Sequence, residues 1–188
     1  MAKLGLAEQH PEGLFFSDTY AFPRNTTDLE YLQRANELLQ SVLKEEWEQR
    51  DEGLPFESAY EALILASIVE KETAVPEERP LIAGVFVSRL RKNMRLQTDP
   101  TVIYGMGEAY DGNIRRKDLT TDTPYNTYTR GGLPPTPISM VGRDAINAVM
   151  RPESTTALYF VSRGDGTHQF SETIDQHNAA VRKYQLKR

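Results

Sequence analysis

The sequence predicts an α+β domain: a helix-rich body around one central buried helix, with a small antiparallel sheet. Three observations carry this. Seven of the eight residues from Ala62 to Val69 are apolar, and a helix apolar on nearly every side sits in a domain centre. Helical spacing recurs on both sides of that stretch. Near the end of the chain, ALYFVSRGDGTHQFS reads as an apolar run, a Gly-Asp-Gly turn and a returning strand. No internal repeat and no low-complexity tract interrupts the pattern. The 188 residues suffice for one good-sized core, and the expectation is one domain over residues 1–188.

In chain order, residues 1–27 are irregular, with Phe15, Phe16, Tyr20 and Phe22 clustered for packing or for lining a cleft. They lack the apolar core of a signal peptide. Thr27 with Glu30 makes a capping box, and Leu29, Leu32, Leu39, Val42 and Leu43 continue an amphipathic helix over about 28–50. Ser58 with Glu61 starts the central helix, and Pro76 follows its end. VPEERPLIAGVFVSRLRKN reads as the next helix. Its buried stripe is Ile82, Val85, Phe86 and Leu90, with acids at its positive end and Arg89, Arg91 and Lys92 at its negative end. Asp99-Pro100 opens a short helix that Gly105 stops. Residues 107–142 are mostly non-helical, and four prolines and two glycines between 124 and 137 fix a loop path. A short helix over about 142–150, the hairpin over 157–170, and a last helix capped by Thr173 with Gln176 complete the chain.

Composition narrows the function. A net charge of −5 and a pI near 5.3 argue against a nucleic-acid partner. There is no cysteine, hence no thiol chemistry, and no run is long enough to span a bilayer. His10, His168 and His177 form no zinc-type pair, so neither a metal nor a cofactor is expected. No GxSxG elbow or phosphate-binding glycine loop is present. A lone His168 on a strand reads as structural.

Carboxylate chemistry remains. The central helix ends in Glu70-Lys71-Glu72. At about 100° per residue, Glu72 continues the stripe of Ile64, Leu65 and Ile68, while Glu70 falls opposite. A carboxyl beside apolar walls stays protonated to higher pH, as a general acid requires. The alternative is that both glutamates are solvated and paired with Lys71, Arg79 or Arg89. Gln97, Thr98, Asp99 and Tyr104 crowd one bend of the chain, and Tyr125, Asn126 and Tyr128 sit on the proline-rich loop. Rings that stack on sugar faces and amides that bond hydroxyls suit a carbohydrate ligand. The loop 124–137 is expected to wall the groove into which Glu72 opens.

The blocks ASIVEKETAVPEERPLIAGVFVSRL, MRLQTDPTVIYGMG, YNTY and GGLPPTPI, extended by YFVSRGDGTHQFSETIDQHNAAV, are similar to the catalytic domain of the YceG-like endolytic murein transglycosylases (MltG). The resemblance covers nearly the whole chain. It implies cleavage of the β-1,4 bond between N-acetylmuramic acid and N-acetylglucosamine without water, leaving a 1,6-anhydromuramyl end. It puts the catalytic acid at Glu72, so the central helix is expected to carry it. It makes Gln97, Thr98, Asp99, Tyr104, Tyr125, Asn126 and Tyr128 candidates for holding sugars. The family's membrane anchor and LysM-like domain have no counterpart in these residues, so an excised catalytic domain is expected. The family works on the outer, periplasmic face of the bacterial inner membrane, near the enzymes that make new glycan. A hydrolase with Asp99 or Glu70 as base, or a peptidoglycan-binding module without turnover, are the alternatives.

Overall fold

The structure is a computed structural model, and it describes residues 1–6 and 10–186; residues 7–9 of the lead-in and 187–188 lie outside the described residues. Seven α-helices and one hairpin are described: α1 Asp28–Glu48, α2 Ala59–Glu72, α3 Arg79–Arg91, α4 Asp99–Met106, α5 Arg116–Thr120, α6 Arg143–Met150, β1 Tyr159–Ser162, β2 His168–Ser171 and α7 Ile174–Tyr184. This is the helix-rich α+β architecture predicted. Among the described residues no helix is long and apolar enough to cross a membrane.

Helix α2 is the centre. Every residue from Ala62 to Val69 is buried, and α2 packs on α1, α3, α4 and α6. Its one polar core residue is satisfied. Ser67 Oγ donates to the Ile64 carbonyl at 2.7 Å and accepts from Ile138 N–H at 2.9 Å, so the hydroxyl ties the proline-rich loop to the helix. Ser58 caps α2 by accepting from Glu61 N–H at 3.3 Å. The predicted box is half made, because the Glu61 carboxylate turns to Glu57 N–H instead. The boxes at Thr27 and Thr173 are complete.

The predicted helix from residue 75 divides. Pro76–Glu78 form a single 3₁₀ turn and α3 begins at Arg79, because Pro80 in its first turn has no N–H to continue a bond pattern from upstream. Gly84 of α3 is a point of close approach: a Cβ there would stand 2.2 Å from the Glu153 carbonyl oxygen. Of the lead-in aromatics, Phe16 and Tyr20 pack, while Phe22 is 60% exposed. Phe16 is buried and bridges to Val141, and the Tyr20 hydroxyl donates to the Phe16 carbonyl.

The sheet is the two-stranded antiparallel hairpin, in register from Tyr159 opposite Ser171 to Ser162 opposite His168. Its turn needs Gly164 and Gly166 at φ 85° and 91°, conformations that only glycine adopts cheaply. Helix α7 packs on both strands. The hairpin and α7 form a unit laid against the helical body. It is held by Phe160, edge-on to the buried Phe86 with centroids 5.7 Å apart, and by Arg89, which donates to the Leu158 carbonyl at 2.6 Å.

Candidate active site

The C-terminus of α2 opens into a groove of about 510 Å³ between the helical body and the hairpin unit. The body contributes Glu72, Arg89, Gln97, Thr98, Asp99 and Tyr128; the hairpin unit contributes Tyr159, Ser162, His168, His177 and Asn178 among others.

Glu72 is a partly buried acid at the groove. Burial raises its pKa from 4.5 to about 7; the Thr98 hydrogen bond opposes that rise, and the nearby Asp99 charge adds to it. The Thr98 hydroxyl donates to Glu72 Oε1. Thr98 is the residue before α4, where a threonine hydroxyl ordinarily accepts from a helix N–H. Here it makes no such cap and serves the glutamate instead. Thr98 itself is pinned from behind: its N–H donates to Thr127 Oγ1 at 3.1 Å, and its carbonyl accepts from Thr101 Oγ1 at 2.8 Å.

Glu70 stands apart from the groove, as the helical-face argument expects. It accepts from Arg79 Nη2 at 3.3 Å and from Gly142 N–H at 3.1 Å. The solvated-pair alternative therefore describes Glu70, and it does not describe Glu72.

Of the predicted sugar-holding residues, the structure gathers four at the groove: Gln97, Thr98, Asp99 and Tyr128. The Tyr128 hydroxyl donates to Asp99 Oδ1 at 2.6 Å. Burial, followed by that bond, pushes the phenol well above its ordinary pKa. Gln97 is a non-glycine residue at φ 52°, a conformation that costs on the order of 1–3 kcal/mol and clusters at functional sites. Its N–H donates to the Thr127 carbonyl at 3.2 Å, and its side-chain oxygen accepts from Arg89.

The other three lie elsewhere. Asn126 is buried, and its amide nitrogen is spent on the carbonyls of Asp118, Leu119 and Thr121. Its side-chain oxygen accepts from Tyr128 N–H at 2.9 Å, so it shapes the loop that presents Tyr128. Tyr104 and Tyr125 pair edge-to-face with centroids 4.8 Å apart, packed on the core outside the groove lining. The loop 124–137 thus reaches the groove through Tyr128. Its Gly132–Pro135 stretch faces Tyr60 and Ile64 in a separate pocket.

Sequence reasoning missed Arg89, Tyr159, His168 and His177. His168 lines the groove with its N–H and Nδ1 both on the Glu78 carboxylate, at 2.9 and 2.7 Å. Nothing in the sequence links positions 90 residues apart. Arg89 did leave a signal: Ile82, Phe86 and Arg89 share one helical face, and its two apolar companions are buried.

Comparison with known proteins gives the family. The model of the YceG-like family matches residues 2–183. An endolytic murein transglycosylase of Bacillus subtilis is 37% identical over 182 residues, covering 94% of this chain and 49% of that protein. One of Streptococcus pneumoniae is 31% identical over 187 residues, covering 92% of this chain and 32% of that protein. A crystal structure of a yceG-like protein from Listeria monocytogenes superposes with a TM-score of 0.75 at 37% identity, covering 89% of this chain and 54% of that one. The chain thus spans about half the Bacillus relative and about a third of the pneumococcal one. With a match over almost its full length, this chain belongs to the YceG-like family.

Proposed function

We propose that this chain carries out endolytic lytic transglycosylation of peptidoglycan: cleavage of the muramyl–glucosaminyl β-1,4 bond within a glycan strand, with closure of a 1,6-anhydro ring. The observation that carries the reading is Glu72, a partly buried carboxyl whose desolvation keeps it protonated to about pH 7, in a groove lined by polar and aromatic residues. The relatives' names support it. Protonated Glu72 gives its proton to the leaving glycosidic oxygen as the C1–O4 bond breaks. The carboxylate then takes the proton of the muramyl C6 hydroxyl as O6 bonds to C1. The acid is regenerated and no water is consumed. Charge developing at C1 is met by the Asp99 carboxylate, whose orientation the Tyr128 hydroxyl fixes; such preorganised groups stabilise the transition state. Gln97, Thr98, Asp99 and Tyr128 hold the sugars. On this reading the domain works at the outer face of the bacterial cytoplasmic membrane, beside the enzymes that make new glycan.

A second reading is hydrolysis, since Asp99 is the other carboxylate lining the groove and glycosidases use two. Mass spectrometry of digested glycan separates them. Anhydromuramyl ends support transglycosylation, reducing muramyl ends support hydrolysis, and an intact substrate leaves a binding module.

The pH profile follows from the raised pKa of Glu72. The first step needs Glu72 protonated, so kcat/KM is expected to fall above about pH 7. The Thr98 hydroxyl stabilises the ionised form, so Thr98→Val, of nearly equal volume, should move that alkaline limb upward. An unmoved limb, in rates measured between pH 5 and 9, would show that Glu72 does not govern it.

A further inference from the structure

Among the described residues no carboxylate pairs with Arg89. Arg89 is 7% exposed, and a desolvated guanidinium is ordinarily matched by a carboxylate. All its hydrogen bonds run to neutral oxygens. Nε donates to the Leu158 carbonyl at 2.6 Å, and Nη1 donates to the carbonyls of Arg95 and Leu96 and to Gln97 Oε1, at 3.0, 2.9 and 3.3 Å. The Tyr159 ring lies 5.0 Å from the guanidinium carbon. Among the described residues Nη2 makes no hydrogen bond. The buried polar atoms left without a partner are Arg79 Nε, Thr123 Oγ1 and His177 Nδ1. Arg89 Nη2 is not one of them, so part of its surface stays accessible, and Arg89 lines the groove that holds Glu72.

The cation is therefore fixed by five groups of the body and hairpin, with the two N–H bonds of Nη2 left over in a residue that lines the groove. A fixed guanidinium in a partly dry site selects an anionic oxygen, because a charge-assisted bond is about twice as strong as a neutral one. On a glycan of alternating amino sugars, hydroxyl and acetamido groups are neutral. The acid belongs to the lactyl arm of the muramyl residue, as its own carboxylate or as a carboxylate of the peptide attached to it.

We infer that Arg89 Nη2 is the receptor for a carboxylate on the lactyl arm, and that this contact sets the register of the strand by marking a muramyl residue beside Glu72. The inference rests on the glycan-cleaving reading of the groove. It makes Arg89 a specificity determinant whose role is separate from proton transfer.

The test uses the chain with Glu72→Gln, which prevents turnover, titrated calorimetrically with four oligosaccharides of equal length. These are a peptide-free muramyl glycan with free lactyl carboxylates, the same glycan with lactyl carboxamides, a glycan bearing stem peptides, and a chitin oligomer without lactyl groups. The carboxylate form should bind about 10- to 100-fold more tightly than the carboxamide, with the difference shrinking as salt rises. Tight binding of the stem-peptide glycan as well would place the recognised acid on the peptide as a second source; weak binding would assign it to the bare lactyl group. Adding Arg89→Gln should erase the difference, and Arg89→Lys should keep part of it. The carboxylate-to-carboxamide comparison needs no change at Arg89, so it stands if Arg89→Gln fails to fold. Equal affinity for the carboxylate, carboxamide and stem-peptide glycans overturns the inference while leaving the groove a glycan site. Binding of none of the four overturns the reading of the groove and this inference together.

Discussion

Glu72→Gln should lower turnover on purified glycan strands by at least roughly 10²- to 10⁴-fold, the usual worth of general acid–base catalysis, while substrate still binds. Glutamine keeps the shape and still accepts the Thr98 hydroxyl, but it has no proton to give. The same change should raise stability at alkaline pH. Because the folded pKa of about 7 lies above the ordinary 4.5, the native state holds its proton more tightly than the unfolded chain does. Stability from this group is present below pH 4.5, declines as pH rises between the two values, and is absent above about 7. That difference amounts to up to about 3 kcal/mol, which a neutral glutamine does not lose. Thermal melts at pH 5 and pH 8 should show the variant gaining on the parent only at the higher pH. Glu70→Gln is the control. It weakens bonds to Arg79 and Gly142 N–H, so it should cost on the order of 1 kcal/mol of stability and little turnover. If Glu70→Gln abolished cleavage and Glu72→Gln did not, the two roles would be reversed.

Phe86→Ala should destabilise the protein by about 3–5 kcal/mol, the range for a fully buried aromatic. For a domain of this size that corresponds to a fall in Tm of roughly 2–4 °C per kcal/mol. The ring joins two parts. It is 1% exposed in the core beneath α3, and its edge meets Phe160, which in turn packs against His168 and Phe170. Truncation should therefore loosen the hairpin before the helices. Hydrogen exchange at Tyr159–Ser162 and His168–Ser171 should lose protection beyond that of α2. A uniform loss across both regions would mean that hairpin and body unfold as one unit.

The fold was largely legible in the sequence, because its signals are local. Ser58, Thr27 and Thr173 mark helix starts, the apolar run 62–69 marks the centre, and Gly164 and Gly166 mark the turn. Glu72 was legible for the same reason: it continues a stripe whose other members are buried, so its desolvation follows from helical geometry. What was not legible depends on which way a loop faces. Asn126 and Tyr128 are two residues apart on one loop; one turns inward to three carbonyls and the other reaches the groove. Residue type suits either role. Tyr104 and Tyr125 satisfy each other by packing, which composition cannot distinguish from stacking on a sugar. Arg89 was read as a complement to a helix end, although it shares a face with the buried Ile82 and Phe86, and its bond to the Leu158 carbonyl depends on where the later chain lies.

That the groove is assembled from two stretches of chain bears on how the protein is made. Helices α1 to α6, with Glu72 and its threonines, are complete by Met150, and the facing wall begins at Tyr159. Synthesis proceeds from the N-terminus, and early segments can fold while later ones are still being added. Glu72 is thus in place before the facing wall of the groove exists. A nascent chain stalled before the hairpin would hold its acid on an open shelf, with Arg89 lacking the Leu158 carbonyl and Tyr159 ring that hold it in the finished protein.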